Sequence, residues 1–275
     1  MEMNKKEMLA VGAGVLAAVG IGIGIWWFFG RTGASVSLIN GPETATTTPS
    51  EATVAHIEEN AAYYDIHAHY PSTAPLPGNT GAEGVAEMKT FVQNTILRFK
   101  ESGNFANLTA EDIKIQGLGP DRKYALDINY EVYKGGRSIS YVYLIEADTL
   151  GAHPNTYYRT FTYDTRTGAS LALDDLFAPG APYLDRLSAQ TRADLPNLLG
   201  GGSAGDPPVE GSDAFPEITA GTQPEEDSFQ NFAIDGTMLR IIFPPYQVGP
   251  YSLGTVVDPI PLSTFASILK AEYRP

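Results

Sequence analysis

Residues 123–147 read KYALDINYEVYKGGRSISYVYLIEA. Two runs rich in Tyr, Ile and Val, 123–134 and 137–147, flank Gly135-Gly136. Aromatic and β-branched side chains suit the pleated, half-buried surface of a strand. A diglycine between two such runs signals a hairpin, because glycine reaches positive φ without a steric penalty. An antiparallel pair is therefore expected here, and the remaining elements extend from it. On the N-terminal side, Tyr64–Tyr70 alternates, with Ile66, Ala68 and Tyr70 on one face and Asp65, His67 and His69 on the other, the pattern of a half-buried strand. Val85, Met88, Val92, Ile96 and Phe99 recur at helical spacing and predict an amphipathic helix over 82–101. Thr80 and Glu83 stand at capping-box spacing before it, and Ser102-Gly103 ends it.

On the C-terminal side, Tyr157–Tyr163 alternates, and Gly168 suits positive φ in the turn that follows. A short strand is expected at Leu171–Leu173, a helical region from Asp174-Asp175 to about Leu195, and a hairpin of Phe229–Ile234 with Met238–Phe243 around Asp235-Gly236. A last strand, Thr255–Ile260, precedes a terminal helix running from Pro261 to about Lys270. Strands outnumber helices and the hairpins imply antiparallel pairing, so the expected class is α+β, antiparallel sheets with a few packed helices.

The N-terminus has a different character. Met8–Phe29 is 22 residues without a charge, about 33 Å as a helix at ~1.5 Å rise per residue, close to the thickness of a bilayer core. Lys5 and Lys6 precede it, which places the short N-terminus in the cytoplasm, and Trp26-Trp27 suit the far interface. Cleavage near Ala34, with secretion of the remainder, is the alternative; both export the rest of the chain. The expected organisation is a cytoplasmic tail 1–7, a transmembrane helix 8–29, a Thr/Ala/Pro-rich linker 30–61, and α+β domains at 62–150 and 151–275. Gly20 and Gly24 form a small-xxx-small spacing that suits helix pairing, the basis for a structural partner of a membrane complex as one alternative.

The 275 residues carry a formal net charge of −14 and no cysteine. So acidic a surface repels nucleic acid and suits a cationic partner. Lack of cysteine removes disulfides, thiolate nucleophiles and Cys-ligated zinc. Asp65, His67 and His69, with His153 arriving from elsewhere, are a weak metal-site alternative, since neighbouring ligands on one strand do not close a zinc site. Gly201-Gly-Ser203-Ala-Gly205 matches the GxSxG pattern but sits in a Gly-rich stretch before Pro207-Pro208 and reads as a loop. Tyr246–Tyr251 lies in a rigid Pro/Gly loop, and rigid tyrosine-bearing loops make binding surfaces. Tyr157, Tyr158, Tyr246, Gln247 and Tyr251 are the candidate binding residues; no catalytic residue, no metal and no cofactor is expected.

Two longer segments, Gly151–Asp164 followed by Gly168 and Leu173–Phe177, and Phe243–Gly254, resemble the extracytoplasmic domain family shared by the anti-sigma factor RsiV and the peptidoglycan deacetylase PdaC. The strand Tyr64–Pro71 and the helix after it resemble the smaller PdaC-type domain that precedes that part. The resemblance implies an envelope-facing bacterial module. In RsiV this region is a receptor for lysozyme, and in PdaC it accompanies a separate deacetylase domain. With seven residues before the membrane helix and none after Pro275, neither an anti-sigma nor a deacetylase domain is expected. The expectation is an anchored, non-enzymatic binding or sensing module for peptidoglycan or a cationic wall-lytic enzyme such as lysozyme. An envelope hydrolase or deacetylase-like enzyme built on a His/Asp metal site is another alternative.

Overall fold

The computed structural model describes residues 54–199 and 216–275. Its first strand, β1 (Val54–Asn60), lies within the stretch expected to be a linker. His56, Glu58 and Asn60 face solvent, while Val54 and Ile57 pack at the margin of a core. One edge is paired and one face covered, which leaves half of the strand polar and gives it the composition of a tether. β2 (Tyr64–Pro71) pairs antiparallel with β1. Helix α1 (Thr80–Ser102) then buries the expected stripe of Met88, Val92, Ile96 and Phe99 against Ile66, Ala68, Leu126, Ile128 and Ile145. Its start differs from expectation: Asn79 is the N-cap but makes no capping bond, its side-chain amide donating instead to the Glu83 carboxylate at 2.9 Å, and the Thr80 hydroxyl donates to the Pro77 carbonyl at 2.6 Å. The unanticipated α2 (Ala110–Gln116) has the capping box instead, between Thr109 and Asp112.

β3 (Tyr124–Lys134), β4 (Ser138–Asp148) and β5 (Asn155–Asp164) complete a five-stranded sheet of order β1-β2-β3-β4-β5. The expected hairpin forms at Gly135-Gly136. β2 and β3, however, run parallel, so the sheet is mixed rather than wholly antiparallel. Parallel neighbours require a crossover connection, and the segment holding α1 and α2 supplies it. β5 pairs along β4 from Ser138 to Ala147, so residue 150 lies in a connection inside one sheet. After β5 the chain turns at Gly168, φ +77°, where an added Cβ would meet the Thr80 hydroxyl at 1.9 Å. Glycine there allows both the left-handed turn and its close approach to the start of α1.

Beyond a 3-10 turn at Leu173–Leu176, in place of the expected strand at 171–173, come α3 (Tyr183–Leu198) and α4 (Pro216–Gly221). β6 (Phe232–Asp235), β7 (Met238–Phe243) and β8 (Val256–Pro261) form a second, antiparallel sheet. The expected terminal helix is reduced to a 3-10 turn at Leu262–Phe265. Its continuation pairs instead with the chain before α3, through Ala178 N–H to Ile268 O and Lys270 N–H to Leu176 O, which buries Phe265 and Leu269.

The two sheets meet along a seam of Tyr133, Val142 and Tyr158 against Ala233 and Ile242. At its centre the Ser140 hydroxyl accepts from the Ile234 N–H at 3.1 Å and from the Thr162 hydroxyl at 2.9 Å. The expected membrane span Met8–Phe29 and the Gly201–Gly205 motif lie outside the described residues. Among the described residues no helix is long and apolar enough to cross a membrane.

Asp258 breaks the apolar pattern of the second core. It lies opposite Ile241 and between Val256 and Ile260, is 1% exposed, and one of its carboxyl oxygens has no hydrogen-bond partner. Burial, aided by the nearby Asp194, pushes its pKa up to about 8. The fold thus favours the protonated form, unlike an unfolded chain, in which an aspartate titrates near ~3.9. A raised folded pKa gives stability that is full below the unfolded value and is lost as pH rises through the folded one. Thermal denaturation should therefore show the melting temperature falling between pH 5 and pH 9. Asp258→Asn should match the native chain at low pH and exceed it at pH 9.

Candidate functional site

The side of the five-stranded sheet away from α1 is covered only in part by the second sheet. On its uncovered part the strand register builds a polar row. Glu58 of β1 lies opposite His67 of β2, His67 beside Asp127 of β3, Asp127 opposite Glu146 of β4, and Glu146 opposite Thr156 of β5. Directly paired residues project from the same face with Cβ atoms about 5 Å apart, so these five side chains are neighbours in sequence of strands though remote in the chain. The Glu58 carboxylate bonds His67 Nδ1. This fixes the ring and leaves Nε2 without a hydrogen bond among the described residues. Burial raises the Asp127 pKa, with Glu58 adding to the shift and His67 and His69 opposing it. Burial, then the charge of Asp127, raises that of Glu146. The row therefore holds an oriented imidazole beside two carboxyls that keep their protons to higher pH than usual. An imidazole held beside carboxyls is an arrangement that general acid–base chemistry can use.

Glu58, Asp127 and Glu146 were not legible as site residues in the sequence. Each is an ordinary polar position of an alternating strand, and only the register joins them. The expected trio behaves differently. Asp65 takes an ion pair from Lys123 at 3.1 Å. His69 stands across from His56 with ring centroids 6.5 Å apart, and its Nδ1 is buried without a partner. Among the described residues no three His, Asp or Glu side chains are placed to hold a metal ion.

The five candidate binding residues separate. Tyr157 is half exposed on the α1 side of β5, with Arg98 and Thr95 nearby. Tyr158 is buried in the seam and bonds the Thr255 hydroxyl at 2.9 Å. The Gln247 amide donates to the Gly221 and Ser228 carbonyls, both at 2.9 Å, so it braces its own loop. Tyr246 and Tyr251 do come together, around His153. The His153 ring stacks on Tyr251 with centroids 3.6 Å apart, and its Nε2 meets the Tyr246 hydroxyl at 2.9 Å. Tyr246 is 62% exposed with φ +74°, a conformation costing on the order of 1 kcal/mol in a bulky residue. The loop holds a large ring out to solvent at a cost in strain. His153 precedes β5, the strand on which Thr156 ends the polar row.

Residues 174–263 match the family model described as "Protein of unknown function (DUF3298)". Over 153 residues, 55% of this chain and 31% of the relative, the sequence is 29% identical to the peptidoglycan-N-acetylmuramic acid deacetylase PdaC of Bacillus subtilis (strain 168). Over 147 residues, 52% of this chain and 59% of the relative, it is 29% identical to the esterase Rv3036c of Mycobacterium tuberculosis (strain ATCC 25618 / H37Rv). The chain thus spans less than two thirds of either curated relative. In fold it is similar to a solved DUF3298 family structure from Bacteroides fragilis NCTC 9343, with a TM-score of 0.52 and 18% identity over 79% of this chain and 93% of the other. Both curated relatives bear the names of enzymes, which overturns the expectation of a non-enzymatic module.

If the Tyr246 backbone is strained for the sake of its ring, removing the ring should not weaken the fold. Tyr246→Gly, free to adopt φ +74°, is expected to melt no lower than the native chain, measured by thermal denaturation.

Proposed function

We propose that this chain is an envelope hydrolase that removes acyl groups from a wall glycan, held outside the cell membrane by Met8–Phe29. The observation that carries the reading is the Glu58–His67–Asp127–Glu146 row, an oriented imidazole beside two carboxyls whose pKa values burial raises, on an open sheet face. His67 Nε2 takes a proton from water as its oxygen attacks the acyl carbonyl. Asp127 or Glu146 protonates the departing alcohol or amine as its bond to the acyl carbon breaks. The products are a carboxylic acid and the deacylated sugar. The aromatic cluster of His153, Tyr246 and Tyr251 seats the sugar, since flat rings cover the apolar face of a pyranose while their polar edges stay hydrated. The relatives' names, a deacetylase and an esterase, agree with hydrolysis of an amide or an ester.

A second reading concerns partners. The net charge of −14 favours steering of a basic envelope protein such as lysozyme toward this surface. Capture of such a protein at low salt, lost at moderate salt, distinguishes that role from glycan hydrolysis.

General-base catalysis contributes about 10²–10⁴-fold. His67→Ala should therefore lower acetate release from peptidoglycan, and hydrolysis of p-nitrophenyl acetate, by about 10²-fold or more. His67 is an exposed side chain, so the melting temperature should hardly move. An unchanged rate would remove the row from the chemistry.

A further inference from the structure

A cavity lies far along the sheet from the polar row, where the β3–β4 and β6–β7 turns meet under the C-terminal tail. It encloses about 380 Å³ and is lined by Arg137, Ser138, Arg166, Gly236, Tyr273 and Arg274, among others. The two turns are pressed together: the Gly236 N–H donates to the Lys134 carbonyl at 2.8 Å, and a Cβ on Gly135 would meet Ile234 at 2.5 Å and the Ser138 hydroxyl at 2.6 Å.

Three features of this cavity point to an anion. In a chain of net charge −14, its lining brings together three arginine side chains from three separate segments against one acidic side chain, Glu272. Arg137 is fixed by an ion pair to the buried Asp164 at 2.5 Å. Burial opposes ionisation of Asp164, but the Thr167 and Arg166 N–H groups, Arg137 and Tyr273 outweigh it and hold its pKa below the ordinary value. That leaves the outer guanidinium nitrogens of Arg137 and the Arg166 side chain without an acceptor among the described residues, while the Arg274 guanidinium donates to the Leu269 carbonyl at 3.0 Å. Independently, Ser138 is among the lining residues, is only 2% exposed, and has a buried hydroxyl with no hydrogen-bond partner. A buried hydroxyl left unpaired costs about 1–3 kcal/mol, a cost that a bound acceptor removes.

We propose that this cavity binds a phosphate group. Arginine forks match phosphate oxygens in bidentate fashion, and a hydroxyl donor at the cavity wall adds a direction that a tetrahedral anion uses and a planar carboxylate does not. The phosphate is either free or carried by a larger phosphomonoester or phosphodiester. The site is separate from the hydrolytic row, and neither depends on the other.

The test is calorimetric titration of the full chain in detergent at constant ionic strength, with inorganic phosphate, glycerol 3-phosphate, bis(glycerol) phosphodiester and acetate as probes. Phosphate should bind and acetate should not compete with it. Arg166→Ala and Arg274→Ala should each weaken phosphate at least ten-fold, and Arg98→Ala, on α1, should leave it unchanged. Ser138→Ala removes an unpaired hydroxyl, so it should fold at least as stably and still bind phosphate several-fold more weakly, a change that a merely structural serine would not produce. Tighter binding of the diester than of inorganic phosphate identifies a polymer or lipid source; the reverse identifies free phosphate. Binding no stronger than chloride, equal binding of acetate, or full affinity in both arginine variants would overturn the proposal.

Discussion

The parallel register of β2 against β3, with Ile66 beside Leu126 and His67 beside Asp127, is the constraint on which the rest of the molecule depends. Successive residues of a strand point to opposite faces, so a slip of one position would exchange the two sets. In the observed register Ile66, Ala68, Leu126 and Ile128 all lie under α1. A slip would carry His67 and Asp127 beneath the helix and leave their polar groups without water. Burial of the α1 stripe therefore enforces the same alignment that assembles the row on the far face. Packing on one side of the sheet and chemistry on the other are two results of one register.

The second sheet then decides how much of that face stays open. It covers Tyr133, Val142 and Tyr158 and stops short of Asp127 and Glu146, which keep partial access to solvent. Partial cover is what raises the pKa of both carboxyls without removing them from water. The aromatic loop that follows β7 belongs to the second sheet, whereas His153 belongs to the approach to β5. Their stacking at 3.6 Å joins the two sheets.

Much of this was legible before any coordinates. The β3–β4 and β6–β7 hairpins, the α1 stripe and the positive φ at Gly168 follow from local pattern, because each depends on residues close in sequence. β1 was hidden because an edge strand with one solvent face carries the polar residues of a linker. The parallel pairing was hidden because alternation marks a strand without naming its neighbour. For the same reason His67 was visible as a candidate while Glu58, Asp127 and Glu146 were not: their association exists only across strands. Tyr246 and Tyr251 were legible from a Pro/Gly loop, but their partner His153 lies some ninety residues away and joins them only through the fold.

The central claim is that Glu58 and His67 act as one unit in hydrolysis. A double-mutant cycle on acetyl hydrolysis, with Glu58→Gln, His67→Ala and their combination, tests it most directly, because coupled residues depart from additivity. On the proposed hydrolytic role, Glu58→Gln should slow hydrolysis by the native chain strongly and have no further effect once His67 is alanine. Additive losses, or a native rate no faster than the double variant, would contradict it.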